Sequence, residues 1–583
     1  MRRSKASKIE MQVMWDRLLS VVEEQAQALM HTAFSPIVRE CGDISAGVFD
    51  TKGQMLAQAV TGTPGHINTM AESVKYFLSE FPLETMRPGD TYLTNDPWLG
   101  SGHLNDFVLV QPTFIRNKPV GLVSCTSHLI DLGGLGMGPD GSDVFDEGLL
   151  IPPMRVVENG QLNETLMSLI KSNSRAPFQN EGDVYALIAC CDVASDRLVR
   201  MMQEFNIESL SGISAYIREV SLRASQAAIS KAPKGRYENR MWLDGYDFEI
   251  ELVAAMEIGN SEITVDFDGT SSCSKLGINC PINYATAYSV FGLRCIFAPD
   301  VPNNAGSLEP FKVVAPEGCI LNAPRPAPVA QRHIIGQLTP DLVLGCVRQA
   351  LPDKVPSEGA SCMYDLPLRS IFDSNKLIGT TAFAVELTHN GGTGARPSKD
   401  GLSATAYPSG VFGSQVEITE SISPLLVTRR ELRPDSGGPG QYRGGLGQTI
   451  EIESSEAAPI DLFASVDRIK YPARGSQGGR AGSCGSLALG SGKILRGKGK
   501  QTIPGGEVLI MHTPGGGGLG PAHTRDVSAV LSDVAAGLVS RKAAKKDYGV
   551  IIRPNGRLDR EATCRRRKSM ASVSLKRNCT VGN

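Results

Sequence analysis

Turn-forming residues punctuate this chain so densely that long uninterrupted elements have few places to form. It carries 62 glycines and 35 prolines in 583 residues, and only 6% of its residues are aromatic. Glycine reaches positive φ without a Cβ clash and proline fixes φ near about −65°, so both mark turns. The pattern predicts short strands joined by tight loops rather than a helical bundle. With 41% hydrophobic and 21% charged residues the chain reads as globular, and its length suggests roughly two to four domains. A net charge of -2 offers no attraction to nucleic acid or an anionic membrane. No stretch approaches the roughly 20 apolar residues that cross a bilayer. The start, MRRSKASKIEMQVMWD, lacks the apolar core of a secretory signal. The 13 cysteines are odd in number and form no CxxC pair, which predicts buried, reduced thiols. A cytoplasmic protein is expected.

Apolar periodicity places the elements. Met14, Leu18, Val22, Ala26 and Leu29 recur at helical spacing and predict an amphipathic helix over 11–32. The stretch ISAGVFDTKGQMLAQAV reads as a hairpin around Lys52-Gly53. A helix is predicted at 66–80, ended by the turn Arg87-Pro88-Gly89-Asp90. Between 91 and 131 the runs TYLTNDPW, FVLVQPTFI and VGLVSCTSHL predict half-buried strands in one sheet. Residues 160–230 read as helical, KAPKGRYENR as a linker, and a β-rich part begins near Met241 with EITVDF and LFASVD as strands. A late helix is predicted where Val527, Val530, Leu531, Val534 and Leu538 share a face, with a short helix after Ser540 and a strand at YGVII. The expected class is α+β: multi-domain and β-rich, with an N-terminal α/β domain at 1–235. A central β-rich domain at 236–420 and a C-terminal β-rich domain with terminal helices at 421–556 follow. The basic tail 557–583, with Arg565, Arg566, Arg567 and Lys568, has little to bury and is expected to be disordered.

Chemistry concentrates in the N-terminal part. His103 and Asp106 stand three apart just before the strand FVLVQP, and His128 and Asp131 three apart just after VGLVSC. If these strands are hairpin partners across RNKP, the start of one lies beside the end of the other. Both His-x-x-Asp pairs then meet at one sheet edge. Imidazole with carboxylate suits a borderline divalent ion. A single His-x-x-Asp pair is more often a solvated turn or a hydrogen-bonded core histidine; two flanking one hairpin bring the metal-binding reading level with that one.

Longer blocks carry a resemblance. RECGDISAGVFD, NDPWLGSGHLNDF, SHLIDLGG, DEGLLIPP, VDFDGTS, ELRPDSGGPGQYRGGLGQ, TPGGGGLG and the stretch VLSDVAAGLVSRKAAKKDYGVII occur in the order seen in the hydantoinase B/oxoprolinase family, which the chain resembles over about residues 10–553. The resemblance implies a divalent metal, Zn²⁺, Mn²⁺ or Fe²⁺, held by His103, Asp106 and His128, with Asp43 of RECGDIS as a further ligand. It implies that Asp131, in the HxxDxGG pattern, orients a ligand imidazole or water, and that Asp43 or Asp131 accepts a proton. His66 in TGTPGHINTM sits where relatives carry Pro-x-His; it suits a proton relay and equally a helix-start cap. Leu129 stands where many relatives have a second histidine. The resemblance further implies an ATP-dependent opening of hydantoin, oxoproline or lactam rings. A ketone carboxylase subunit and a non-catalytic, metal-stabilised scaffold are the alternatives.

TPGGGGLG at 513–520 lacks the Lys and Ser/Thr of a phosphate loop, and its glycines are expected in tight turns with positive φ. The family resemblance implies that ATP and Mg²⁺ belong to a hydantoinase A-type ATPase partner, with a dimer of heterodimers expected. Arg332, His333 and Arg396 are candidates for contacts to substrate or phosphate; His31, His389, His512 and His523 are given no role.

Overall fold

The computed structural model describes residues 7–373, 376–379 and 381–580; the first six residues of the basic start and the last three of the tail lie outside them. The helix Lys8–Thr32 opens with a capping box in which Ser7 Oγ accepts from Glu10 N while the Glu10 carboxylate accepts from Ser7 N. It buries the stripe Met14, Leu18, Val22, Ala26 and Leu29 that the spacing predicted. Each fully buried leucine there contributes about 1.5–3 kcal/mol.

A seven-stranded sheet follows: β1 (Ile44–Phe49), β2 (Met55–Gln58), β3 (Thr91–Thr94), β4 (Asp106–Ile115), β5 (Lys118–His128), β6 (Met154–Glu158) and β7 (Gln161–Leu162). Its order is β2-β1-β5-β4-β3-β6-β7, and every pairing is antiparallel. The β4–β5 hairpin closes on Arg116 and Asn117, at φ 49° and 61°, between the paired Ile115 and Lys118. Two successive positive φ values match the strand twist of a hairpin. The strands at 91–131 are not half-buried as their alternation suggested: β3 is buried along its whole length, and β4 and β5 lose burial only toward the hairpin turn. The helices Lys8–Thr32 and Pro177–Glu204 cover Leu109, Val123 and Cys125 on one face. The helix Pro64–Glu80 sets Met70, Val74 and Phe77 against Phe49, Val108 and Leu122 on the other. With both faces covered, the strand sequences run continuously apolar. The helical stretch after β7 resolves into Glu164–Ser172, Pro177–Glu204 and Ser211–Ser230.

The segment read as a linker is largely strand. β8 (Gly235–Leu243) already begins within KAPKGRYENR and pairs with β9 (Ile250–Ile258) along its full length. It is the edge strand of the sheet β11-β10-β9-β8, with β10 (Ile263–Asp266) and β11 (Phe311–Val314). Arg236, Glu238 and Arg240 point outward there, as edge strands tolerate; that polarity hid the strand. The helices Ile282–Phe297 and Thr339–Ala350 share this sheet's core.

The remaining strands are β12 (Tyr364–Asp373), β13 (Lys376–Ile378), β14 (Ala384–His389), β15 (Leu425–Leu432), β16 (Gln448–Ser454), β17 (Ile460–Ser465), β18 (Ser486–Leu489), β19 (Lys498–Ile503) and β20 (Leu509–His512). They form the sheets β13-β12-β17-β19, with β14 on β12, and β15-β16-β20-β18, around one shared core. Within the glycine run at 513–520, Gly520 alone has positive φ, at 74°. The other glycines serve close approach of backbones. A Cβ on Gly516 would collide with the Thr393 carbonyl, and one on Gly515 with that of Ser436.

The helices Val527–Ala535 and Arg541–Asp547 form as expected. YGVII does not become a strand; Val550 is buried and Ile552 makes only a bridge to Leu558. The tail predicted to be disordered is instead the helix Arg560–Thr580. Asp559 accepts from Ala562 N at 3.0 Å, buried Thr563 accepts from Ile551 N at 3.0 Å, and Arg567 donates to the Tyr548 carbonyl at 3.0 Å. Polar anchors substitute for the missing apolar face. No helix among the described residues is long and apolar enough to cross a membrane. The twelve cysteines from Cys41 to Cys564 are free thiols.

Candidate metal centre

Antiparallel order brings three chain positions to one end of adjacent strands. Asp106 starts β4 and pairs in register with His128, the last residue of β5. β1 starts on the other side of β5, with Ile44 paired to Ser127, so Asp43 lies next to His128. The two-residue turn at the far end of the hairpin and the one-residue shift in pairing between Thr113 and Phe114 together fix this register. A slip of one residue would turn Asp106 and His128 to opposite faces. The helix Pro64–Glu80 begins over the same strand ends. Thr63 N donates to the Ile44 carbonyl at 2.9 Å, and Thr63 Oγ1 donates to Asp43 Oδ1 at 2.8 Å. His66 enters the centre from its first turn.

Asp106 is the hub, and it is fully buried. Its Oδ2 accepts from Ser101 Oγ at 2.6 Å and from the Arg332 guanidinium at 2.5 Å, and lies 2.9 Å from His66 Nε2. Its Oδ1 faces His103 Nε2 at 2.7 Å and His128 Nδ1 at 3.1 Å. Burial pushes this carboxyl up, but His103, His66 and Arg332 together hold it well below the usual range. Arg332 is itself fixed, donating to the Ser101 carbonyl at 2.7 Å and stacking 4.2 Å from the Tyr284 ring centroid.

The imidazoles are oriented from behind. His103 Nδ1 lies 3.0 Å from the Ala330 carbonyl. A carbonyl can only accept, so this contact places the ring proton on Nδ1 and leaves the Nε2 lone pair free. The 329–330 backbone is held in turn by Glu147, whose Oε1 accepts from Val329 N at 2.5 Å and Ala330 N at 2.8 Å. Burial raises the Glu147 carboxyl to about 8. Burial also lowers His103 to about 4, with Arg332 adding to the effect. His128 Nε2 lies 3.2 Å from Glu386 Oε2 on β14. Burial lowers His128, yet Glu386 and Asp106 outweigh it and raise the ring well above the ordinary value.

A cluster of buried donor atoms meets only one another or a neighbouring carboxylate, without a well-aligned hydrogen bond: His66 Nδ1, His103 Nε2, His128 Nε2, His333 Nε2 and Glu386 Oε2. Their residues line one small cavity together with Asp43. Buried polar atoms are otherwise almost always paired, so this convergence of lone pairs suits a cation. His103, Asp106 and His128 each present a donor atom, all within 4.8 Å of one another, the one such group among the described residues. Imidazole and carboxylate donors fit Zn²⁺, Mn²⁺ or Fe²⁺ alike.

Of the residues predicted from sequence, the structure brings together Asp43, His66, His103, Asp106 and His128. Asp131 is placed elsewhere: its Oδ1 accepts from Arg175 Nη1 at 2.6 Å, its Oδ2 from Arg175 N, and it lines a neighbouring groove. Arg396 donates to the Asp400 carbonyl, away from the cavity. Sequence reasoning missed Glu386 and Glu147. Glu386 sits in an ordinary strand pattern, FAVELTHN, and Glu147 in a short helix, so neither carried a local signal.

A model of the hydantoinase B/oxoprolinase family matches residues 7–522. Caprolactamase subunit beta of Pseudomonas jessenii is 28% identical, covering 95% of this chain and 98% of that protein. The crystal structure of ATP-dependent caprolactamase from Pseudomonas jessenii superposes with a TM-score of 0.86 at 25% identity, over 97% of this chain and all (100%) of that one. Acetone carboxylase in its nucleotide-free structure shares the fold, with a TM-score of 0.85 at 20% identity over 97% of this chain and 83% of that one. The chain belongs to the hydantoinase B/oxoprolinase family.

Proposed function

We propose that this chain is the metal-bearing subunit of an ATP-dependent hydrolase that opens cyclic amides, working with a hydantoinase A-type ATPase subunit in a dimer of heterodimers. The observation that carries the reading is the convergence of buried imidazole nitrogens and carboxylate oxygens at the ends of β1, β5 and β4. His103, Asp106, His128 and Asp43 would hold the ion. When bound, it supplies Lewis acidity, polarising a carbonyl and making water acidic near neutral pH.

The chain's own residues prepare the site. Arg332 and Ser101 hold Asp106 Oδ2, so that Oδ1 is presented to His103 and His128. The Ala330 carbonyl fixes the His103 tautomer. His66 stands between Asp43, 3.5 Å from Nδ1, and Asp106, 2.9 Å from Nε2. It is placed to move a proton along the cavity wall, with Asp43 as the acceptor where that carboxylate is not itself holding the ion. Asp131 is given no proton to move, because Arg175 engages both its oxygens. ATP and Mg²⁺ bind the partner, which activates the amide; the caprolactamase likeness supports this division.

The test is co-expression with a hydantoinase A-type ATPase, metal analysis, and ATP-dependent turnover of hydantoin, 5-oxoproline and caprolactam. His103→Ala should lose the ion and at least ~100-fold of ring opening while the partner retains part of its ATPase activity. Unimpaired ring opening by that variant refutes the site. Bicarbonate-dependent consumption of acetone, with the rings untouched, would make the complex a carboxylase. Chelation that lowers stability but spares turnover would reduce the ion to a scaffold.

A further inference from the structure

A groove beside the metal cavity shares its wall and carries an unpaired guanidinium. Met137 and Glu386 line both spaces. The groove also takes Asp131, Arg175, Arg369 and Phe463. Arg369 projects from β12, half-buried, with its guanidinium carbon 4.3 Å from the Phe463 ring centroid. Among the described residues it makes no ion pair and no side-chain hydrogen bond. This is unusual for an arginine partly withdrawn from water, because its five donors normally find carboxylates or carbonyls.

The nearby acids are already engaged. Asp461 stands directly opposite Arg369 in the β12–β17 pairing. Its Oδ2 is bound by Lys500 Nζ at 2.8 Å, and its Oδ1 accepts from Thr502 Oγ1 at 3.1 Å. Asp131 is held by Arg175. Glu386, at the inner end, directs Oε2 to His128. Burial lowers the Arg369 guanidinium from its usual value and the Arg175 cation lowers it further; Asp461 and Asp131 raise it without reversing that direction.

We infer that this groove is an anion-binding subsite. The Arg369 fork, steadied on Phe463, takes a carboxylate or phosphoryl group of a small molecule whose reacting end enters the metal cavity past Met137 and Glu386. The inference rests on the proposed function for its chemistry. ATP activation places a phosphoryl group on the substrate, and opening a cyclic amide leaves a carboxylate, so the molecules handled here are anionic before and after the reaction. Arginine matches either planar or tetrahedral oxyanions in bidentate fashion.

The experiment titrates the full-length chain with inorganic phosphate and, separately, with acetate, by calorimetry at low ionic strength. Wild type is compared with Arg369→Gln and Arg369→Lys. Wild type should bind at least one anion, and the one held more tightly names the group. The Gln variant should bind it at least ~tenfold more weakly, and the Lys variant should fall between, since it keeps the charge but not the fork. Metal content should be unchanged in both. If wild type binds neither anion, or the variants bind as tightly as wild type, the inference is overturned. Should the Gln variant fail to fold, the Lys variant still decides: binding equal to wild type overturns the subsite. Turnover of the co-expressed complex separates this result from the functional reading. Ring opening without Arg369-dependent anion binding removes only the subsite. Anion binding without ring opening removes only the hydrolase.

Discussion

Glu147 touches no donor atom of the metal cavity, yet it governs the orientation of His103 through two backbone amides and one carbonyl. Glu147→Ala leaves the Val329 and Ala330 N–H groups buried and unpaired, at a cost of about 1–3 kcal/mol. Metal affinity should fall about 10–100-fold, as for other residues that orient a ligand. Denaturant unfolding and metal titration check the two effects. Glu147→Gln keeps an acceptor oxygen and should retain most of both. The pH response carries a definite sign. Burial raises this carboxyl from an ordinary 4.5 to about 8. Between those values the unfolded chain has released a proton that the folded one retains. Stability is therefore fully present below about 4.5 and declines as pH rises toward 8. The Gln variant should flatten that decline. None of this was legible in the sequence. DEGLLIPP gives no hint that its second residue reaches a loop near 330, because that contact exists only after separate elements pack. His103, Asp106 and His128 were legible, because a two-residue hairpin turn converts their spacing into proximity.

At the scale of elements, the turn at Arg116-Asn117 sets the register of the centre while holding two non-glycine residues at positive φ. Replacing it with Asn-Gly should stabilise the protein by roughly 1 kcal/mol without altering metal binding, because Asn and Gly tolerate that conformation best. Thermal melts with metal analysis test this. A fall in metal content would show that the turn does more than close the hairpin. The strands themselves were visible in the sequence as apolar runs, but their double-sided burial was not. Alternation reports one covered face, and here helices cover both. β8 escaped notice for the opposite reason: its charged outward residues and the Lys234-Gly235 pair look like a linker. The glycine run lacks the Lys and Ser/Thr of a phosphate loop, and the reason for its glycines lay in neighbouring backbones distant in sequence. Gly516→Ala should therefore fail to accumulate as soluble protein, while Gly506→Ala is expected to cost about 1–2 kcal/mol through its positive φ alone, with open space around it. Equal behaviour of the two variants would contradict the close packing seen at Gly516.

For the molecule as a whole, the centre ties together parts of the chain that otherwise keep separate cores. β14 contributes Glu386, the short helix His333–Gly336 and its N-cap contribute His333 and Arg332, the helix Pro64–Glu80 contributes His66, and the first sheet with its flanking loops contributes Asp43, His103 and His128. A cation there should stabilise the native state by about 2.7 kcal/mol at a hundredfold excess over its dissociation constant. Chelation should lower the melting temperature of the wild type and leave that of His128→Ala unchanged. An equal shift in both proteins would place the ion elsewhere.

The distances along the chain also impose an order in time. Asp43 leaves the ribosome some three hundred residues before Glu386, which at ~5–20 residues per second is on the order of tens of seconds. From the emergence of His128 onward the imidazoles at 66, 103 and 128 stand beside an incomplete wall. Whatever cation they meet first can still exchange with its surroundings. A cation held there should therefore exchange freely until the strand carrying Glu386 packs against His128.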